Sequence, residues 1–140
     1  MIIMKREGEI YQSGLSSKYR KERGIFYTPS EISEFMVNLV ELKKGMKILE
    51  PGCGSGNFIV SIIARFSEKY SKKNIKKMIF ALDTDKKALQ ILQKTLGLSK
   101  DKNFCNIHNG AFLTKSSIDE KRYDLIIGNP PYNGKLSREE

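Results

Sequence analysis

The chain has 140 residues, 39% of them hydrophobic and 29% charged, with 25 Lys and Arg against 16 Asp and Glu for a formal net charge of +9. That length builds one domain around a single two-sided core, and the apolar share excludes a disordered chain. No apolar run approaches the roughly 20 residues of a membrane helix, and Cys53, Cys105 and His108 are too few for a four-ligand zinc site, so neither membrane nor metal is expected.

The excess of positive charge favours a polyanionic partner such as nucleic acid. Met1-Ile2-Ile3-Met4 is too short for a signal peptide, so free thiols and a cytoplasmic address are expected. Residues 1–24 are polar and basic, with Lys18, Arg20, Lys21 and Arg23 bunched before Gly24. They are expected to form an N-terminal arm or tail, either a solvated leader or an arm that contacts phosphates. Thr28-Pro29-Ser30-Glu31 has the spacing of a capping box, with Thr28 as N-cap, Pro29 at the first helical position and Glu31 reaching back. Ile32, Phe35, Met36, Leu39 and Val40 then predict one buried helical face, ended by Lys43, Lys44 and Gly45.

Met46 to Phe58 carries an apolar run into Glu50-Pro51 and then Gly52-Cys53-Gly54-Ser55-Gly56-Asn57. The pattern predicts strand, glycine loop and helix, with the loop's main-chain amides open to a ligand. Its glycine spacing departs from the dinucleotide pattern. Glu50, at the carboxyl end of the strand, repels a pyrophosphate and suits an ammonium or sulfonium, which points towards S-adenosylmethionine.

The helix from Asn57 to about Tyr70 buries Ile59, Ile62, Ile63 and Phe66, and the basic stretch Lys72 to Lys77 is expected to be a solvated turn. Met78 to Leu82 is the second strand, ending at Asp83, whose carboxylate is placed to hold a ribose diol by two hydrogen bonds. Asp85 caps a helix with face Ala88, Leu89, Leu92 and Leu96, stopped by Gly97. Phe104 to Asn109, with His108 as a strand residue, is the third strand, and Tyr123 to Gly128 is the fourth. Strands alternating with helices predict an α/β fold, a parallel sheet with helices on both faces and its ligand site beyond the strands' carboxyl ends.

Asn129-Pro130-Pro131-Tyr132 follows the fourth strand. The prolines remove two N–H donors, so the Pro130 carbonyl is presented without a competing donor beside the amide oxygen of Asn129. Two acceptors aimed at one planar amino group draw its nitrogen towards tetrahedral geometry and localise its lone pair. Its proton leaves after attack, so no base is needed beforehand. Tyr132 offers a stacking face worth roughly 1 to 3 kcal/mol to an unstacked base.

Tyr27-Thr28-Pro29, Leu49 to Gly56, Asp83, Asn109-Gly110-Ala111-Phe112-Leu113 and Asn129-Pro130-Pro131-Tyr132, in this order, resemble the amino-group DNA methyltransferases. The branch is the adenine-N6 enzymes of restriction-modification systems that place the cofactor half first, as the TaqI methyltransferase does. The resemblance implies a Rossmann-like S-adenosylmethionine-dependent methyltransferase fold. It implies that Thr28, Glu50, Pro51, Gly52, Cys53, Gly54 and Gly56 hold the methionine part of S-adenosyl-L-methionine, Asp83 its ribose, and Ala111 and Phe112 the surroundings of its adenine. Asn129 and Pro130 would bind the target amino group, Pro131 would complete the catalytic motif and Tyr132 would stack on a flipped adenine. Ala111 departs from the family, which usually has an aspartate there, so one cofactor contact is expected to be missing.

Residues 25–140 are thus expected to be the cofactor-binding and catalytic-motif part of a methyltransferase domain, incomplete because the chain stops eight residues after Tyr132, past the fourth strand. Alone it is expected to be inactive, with DNA and a C-terminal remainder or separate specificity subunit as partners. A protein-glutamine or RNA-guanine N-methyltransferase shares the Asn-Pro-Pro-Tyr logic, but Tyr27-Thr28-Pro29 speaks against it. Ala111 and the missing half speak for a non-catalytic binding remnant.

Overall fold

The computed structural model describes residues 2–97, 106–112 and 122–132. Strands β1 (Ile48–Pro51), β2 (Ile79–Asp83), β3 (Asn106–Asn109) and β4 (Leu125–Ile126) form one parallel sheet in the order β3-β2-β1-β4. Ile48 pairs with Ile79 on one side and Leu125 on the other, so β1 is enclosed by neighbours. Bonds from the Asp124 amide to the Lys47 carbonyl (2.8 Å) and from the Ile127 amide to the Leu49 carbonyl (3.0 Å) extend the short β4 ladder at both ends.

Six helices accompany the sheet among the described residues: α1 (Ile2–Gly14), α2 (Ser17–Arg23), α3 (Ser30–Asn38), α4 (Asn57–Ser67), α5 (Lys72–Met78) and α6 (Lys86–Thr95). None is long and apolar enough to cross a membrane. Because side chains alternate across a strand, Ile48, Ile79 and Ala81 meet Val37, Ile59, Ile62, Phe66, Ile75 and Leu92 in the larger core cluster. On the opposite face Leu49, Phe80 and Leu82 pack with Phe112 and Tyr123, the last edge-on to Phe80 at 5.5 Å between ring centres. Both faces are buried, which is why β1 and β2 read as unbroken apolar runs. The connection at 113–121, and with it Leu113, lies outside the described residues, as do Phe104 and Cys105.

Three expectations are corrected. Within the stretch expected to be an N-terminal arm or tail, the described residues contain α1 and α2, and α1 docks on α6 through an ion pair from Lys94 to Glu7 (2.7 Å) and a bond from the Tyr11 hydroxyl to Asp85. Lys72 to Lys77 is no turn: it belongs to α5, anchored by the buried Ile75 and Met78 while Lys73, Lys76 and Lys77 face water.

The third correction concerns α3. Pro29, not Thr28, stands at its N-cap, and no side chain caps it. Its buried edge is Ser30, Ser33 and Val37, whereas Ile32, Phe35, Met36 and Leu39 are exposed, Leu39 at 71%. The serines decide this. Ser33 Oγ donates to the Ser30 carbonyl (2.8 Å) and meets Ser61 Oγ of α4 at 3.1 Å, so two small polar residues let the helices approach closely. Arg65 of α4 then donates to the Val37 carbonyl (2.6 Å) at the end of α3.

Candidate active site

The chain runs from β1 through β2 to β3 in one direction and returns to place β4 on the other flank of β1. The crevice beyond β1 and β4 is therefore the topological switch point, where open parallel sheets bind ligands. The glycine loop leaves β1 there, and Asn129 to Tyr132 leave β4 there. At Gly128 a Cβ would lie 3.4 Å from Glu50 Cγ, so the two segments are in contact.

Gly52, Gly54 and Gly56 have φ of 81°, 53° and 89°, the left-handed region that favours glycine. At Gly56 there is also no room, since a Cβ would stand 2.2 Å from Leu92 Cδ1, and one at Gly54 would stand 3.2 Å from the Tyr27 ring. Four of the loop's amides, however, are taken up within the chain rather than left open as expected. Gly52 and Cys53 both donate to the Leu82 carbonyl (2.8 and 2.7 Å), Gly54 to Asp83 Oδ2 (2.7 Å) and Gly56 to the Cys53 carbonyl (2.9 Å). With these four donors occupied, the turn is no cradle for phosphate. Cys53 itself is buried in the larger core cluster, and Pro51 continues β1.

Glu50 is buried at 2% exposure, and among the described residues its Oε2 has no hydrogen-bond partner. Burial, and then the nearby Asp83, push its carboxyl well above the ordinary 4.5, against the pull of the Ile59 amide in the first turn of α4. An unpartnered carboxylate oxygen in such a place is costly unless a cation or hydrogen-bond donor meets it. Asp83 is raised for the same leading reason, although the amides of Asp85 and Gly54 partly counter it. The Gly54 amide donates to Oδ2 and the Asp85 amide to Oδ1 (2.7 Å each), and the Thr84 amide also interacts with the carboxylate, which fixes it in place. Ala111 and Phe112 follow β3 at the same edge, tied to β2 by the Gly110 amide on the Asp83 carbonyl (2.9 Å). Phe112 packs on Leu49, Phe80 and Leu82.

At the motif after β4, Asn129 Nδ2 donates to the Phe26 carbonyl (2.7 Å). That bond takes the donor end of the amide and leaves Oδ1 to accept. Pro131 Cδ is 3.8 Å from where a Cβ of Gly52 would be, so the motif borders the glycine loop, and Tyr132 is 54% exposed with its ring available for stacking.

Residues 24–28 stitch the two halves together, which the sequence did not reveal. The Tyr132 amide donates to the Gly24 carbonyl (3.0 Å), and a Cβ on Gly24 would fall 1.7 Å from the Tyr132 oxygen. Tyr27 lies on Gly54, and the Thr28 carbonyl accepts from Asn57 Nδ2 (2.7 Å), so here Thr28 acts through its backbone. Burial, with Asp85 and Asp83 close by, pushes the Tyr27 phenol up to about 12. Gln12 of α1 reaches Ser55 of the loop, and Tyr11 reaches Asp85 beside Asp83, so α1 is tied to the glycine loop and to the start of α6. A tyrosine or glutamine in a polar helix carries no pattern that marks such a contact. Gly24 was visible only as a stop after basic residues.

A family model described as N-6 DNA Methylase matches residues 7–140. The chain is 32% identical over 137 residues to the Type II methyltransferase M.VspI of Vibrio sp. (strain 343), a match covering 94% of this chain and 31% of that protein. It is 29% identical over 135 residues to the Type I restriction enzyme EcoEI methylase subunit of Escherichia coli, covering 91% and 27% respectively. A solved type I restriction-modification system methyltransferase subunit from Streptococcus thermophilus superimposes with a TM-score of 0.60 at 20% identity, over 93% of this chain and 28% of that one. At that identity the likeness shows the fold. The chain spans about 30% of the length of these relatives.

Proposed function

The chain belongs to the N-6 DNA methylase family, and on that footing we propose that it forms the cofactor and target-base site of a transferase that moves a methyl group from S-adenosyl-L-methionine to the N6 amino group of adenine in DNA. The observation that carries this reading is the meeting of the end of β1 and its glycine loop with the segment from Gly128 to Tyr132 at the switch point between β1 and β4, Gly128 beside Glu50 and Pro131 beside Gly52. The orphaned Oε2 of Glu50 fits an ammonium, and the occupied loop amides argue against a phosphate ligand. Thr28, Pro51 and the glycine turn would enclose the methionine part, Asp83 would accept from the ribose hydroxyls, and Ala111 and Phe112 would border the adenine.

S-adenosyl-L-methionine supplies the electrophilic methyl group when bound. Asn129 Oδ1 and the Pro130 carbonyl accept the two amino hydrogens of the target, localising the nitrogen lone pair, and Pro131 keeps a donor out of that position. Phe26 does the positioning, since its carbonyl holds Asn129 Nδ2 and so fixes which way the amide points. Tyr132 stacks on the extruded base. Relatives named as methylase subunits of type I restriction enzymes support a further polypeptide as partner.

Asn129→Ala tests the reading in whichever assembly of the chain supports turnover. Its partner is the substrate, so kcat should fall about a hundredfold or more while cofactor affinity in calorimetry stays unchanged. Asn129→Asp should fare no better, because a carboxylate cannot donate to the Phe26 carbonyl. Normal methyl transfer by both variants would reduce Asn129 to a turn residue and remove the reading's main support.

A further inference from the structure

Among the described residues, two bunches of cations lie at opposite ends of the strands. Lys73, Lys76 and Lys77 are on α5, which leads into β2 and so sits at the amino ends. Lys18, Arg20 and Lys21 are exposed on α2, whose C-cap Gly24 joins it to the segment after β4 at the carboxyl ends. Only the second bunch is near the candidate site, and its attachment there is rigid. The Ile25 amide returns to the Arg20 carbonyl (2.9 Å), the Gly24 carbonyl takes the Tyr132 amide (3.0 Å), and the Phe26 carbonyl takes Asn129 Nδ2 (2.7 Å). Gly24, at φ 63° and with no space for a Cβ against the Tyr132 carbonyl, permits this approach.

Arg20 and Lys21 line a cleft of about 490 Å³ together with Phe26 and Tyr27, and Glu9 is the one acid among its lining residues. Phe26 of this lining is 61% exposed, and Tyr132, also exposed, is joined to the same segment through its amide on the Gly24 carbonyl. Fixed cations next to exposed aromatic faces suit a nucleic-acid strand, with charge for the backbone and rings for unstacked bases. Glu22 is the acid within α2, so the helix is basic without being uniformly so.

We propose that Lys18, Arg20 and Lys21 of α2 grip backbone phosphates of the DNA strand adjoining the base received by Asn129 and Tyr132, so that α2 sets the strand's register over that motif. The proposal rests on the reading given under the proposed function and adds to it the surface that holds the strand. Phosphate contacts of this kind position a strand without reading its sequence.

The test is the salt dependence of binding of a short fluorescently labelled DNA duplex to the chain, followed by anisotropy. Two variants are compared, Lys18→Gln/Arg20→Gln/Lys21→Gln on α2 and Lys73→Gln/Lys76→Gln/Lys77→Gln on α5, each lowering the formal charge by three, from +9 to +6. Removing one cation that neutralises a phosphate should lower the slope of log K against log salt by about 0.9, so the α2 variant should fall by roughly 2 to 3 in slope and bind at least about tenfold more weakly at ~0.1 M salt. The α5 variant should keep the wild-type slope. Equal reductions in both variants would show a bulk charge effect and overturn the proposal, as would an unchanged slope in the α2 variant or no duplex binding by the wild type. Calorimetry of the wild type with S-adenosyl-L-methionine separates the two levels. Cofactor binding without DNA binding defeats the surface and leaves the cofactor site standing, whereas DNA binding through α2 without cofactor binding keeps the surface and defeats the methyltransferase reading.

Discussion

Glu50 has one oxygen on the Ile59 amide and the other unpartnered among the described residues, inside a site that burial makes hostile to an anion. Its raised pKa means that the carboxyl is protonated at a pH where an exposed glutamate is ionised. A cationic ligand reverses that preference, because it stabilises the ionised form. Binding of S-adenosyl-L-methionine should therefore release a proton, and affinity should rise with pH until the pH passes the raised pKa of Glu50. Calorimetry in two buffers of different ionisation enthalpy reads the proton directly, and Glu50→Gln should make both the heat and the affinity independent of it. Buffer-independent heat for the wild type would remove the ammonium from Glu50. The identity of this residue was legible in sequence because a strand, a carboxylate and a glycine turn are contiguous. Gly24, Phe26 and Asn57 were not, because each acts on a partner far along the chain, as Phe26 does on Asn129.

The helices divide into those whose pattern was sufficient and those it misled. In α4 and α6 the apolar positions are the buried ones, with Phe66 and Leu92 both at 0%. In α3 the stripe of Ile32, Phe35 and Leu39 has helical spacing, yet Ser30, Ser33 and Val37 have it too. Periodicity locates faces but does not choose between them, and the match of Ser33 to Ser61 made the choice. Leu39→Gln should accordingly change stability by less than about 0.5 kcal/mol. Ile75→Ala, in the basic stretch expected to be a turn, should cost about 2 to 5 kcal/mol because Ile75 is completely buried. Urea midpoints of both variants check this, and a large destabilisation at Leu39 would restore the face that the sequence predicted.

Across the whole molecule the buried Glu50 and the half-buried Asp83 make stability depend on pH. Glu50 and Asp83 have folded-state values above their ordinary 4.5 and 3.8, so the folded chain binds more protons than the unfolded one. Their contribution is complete below those ordinary values and is lost as pH climbs towards the raised ones. Glu50→Gln removes one of the two groups, so its stability relative to the wild type should increase with pH across that window, measured as urea midpoints without ligand. A constant difference at every pH would contradict the shift. By itself the sequence determined the alternation of strands and helices, the glycine turn after β1 and the place of Asn129 to Tyr132 directly after β4, since each is fixed by residues adjacent in the chain or one helical turn apart. The tertiary structure decided the strand order β3-β2-β1-β4, the docking of α1 on α6 and the pairing of Gly24 with Tyr132. These are contacts between distant segments, chosen by packing and by satisfying buried backbone groups, and no local pattern of residues encodes which distant partner satisfies them.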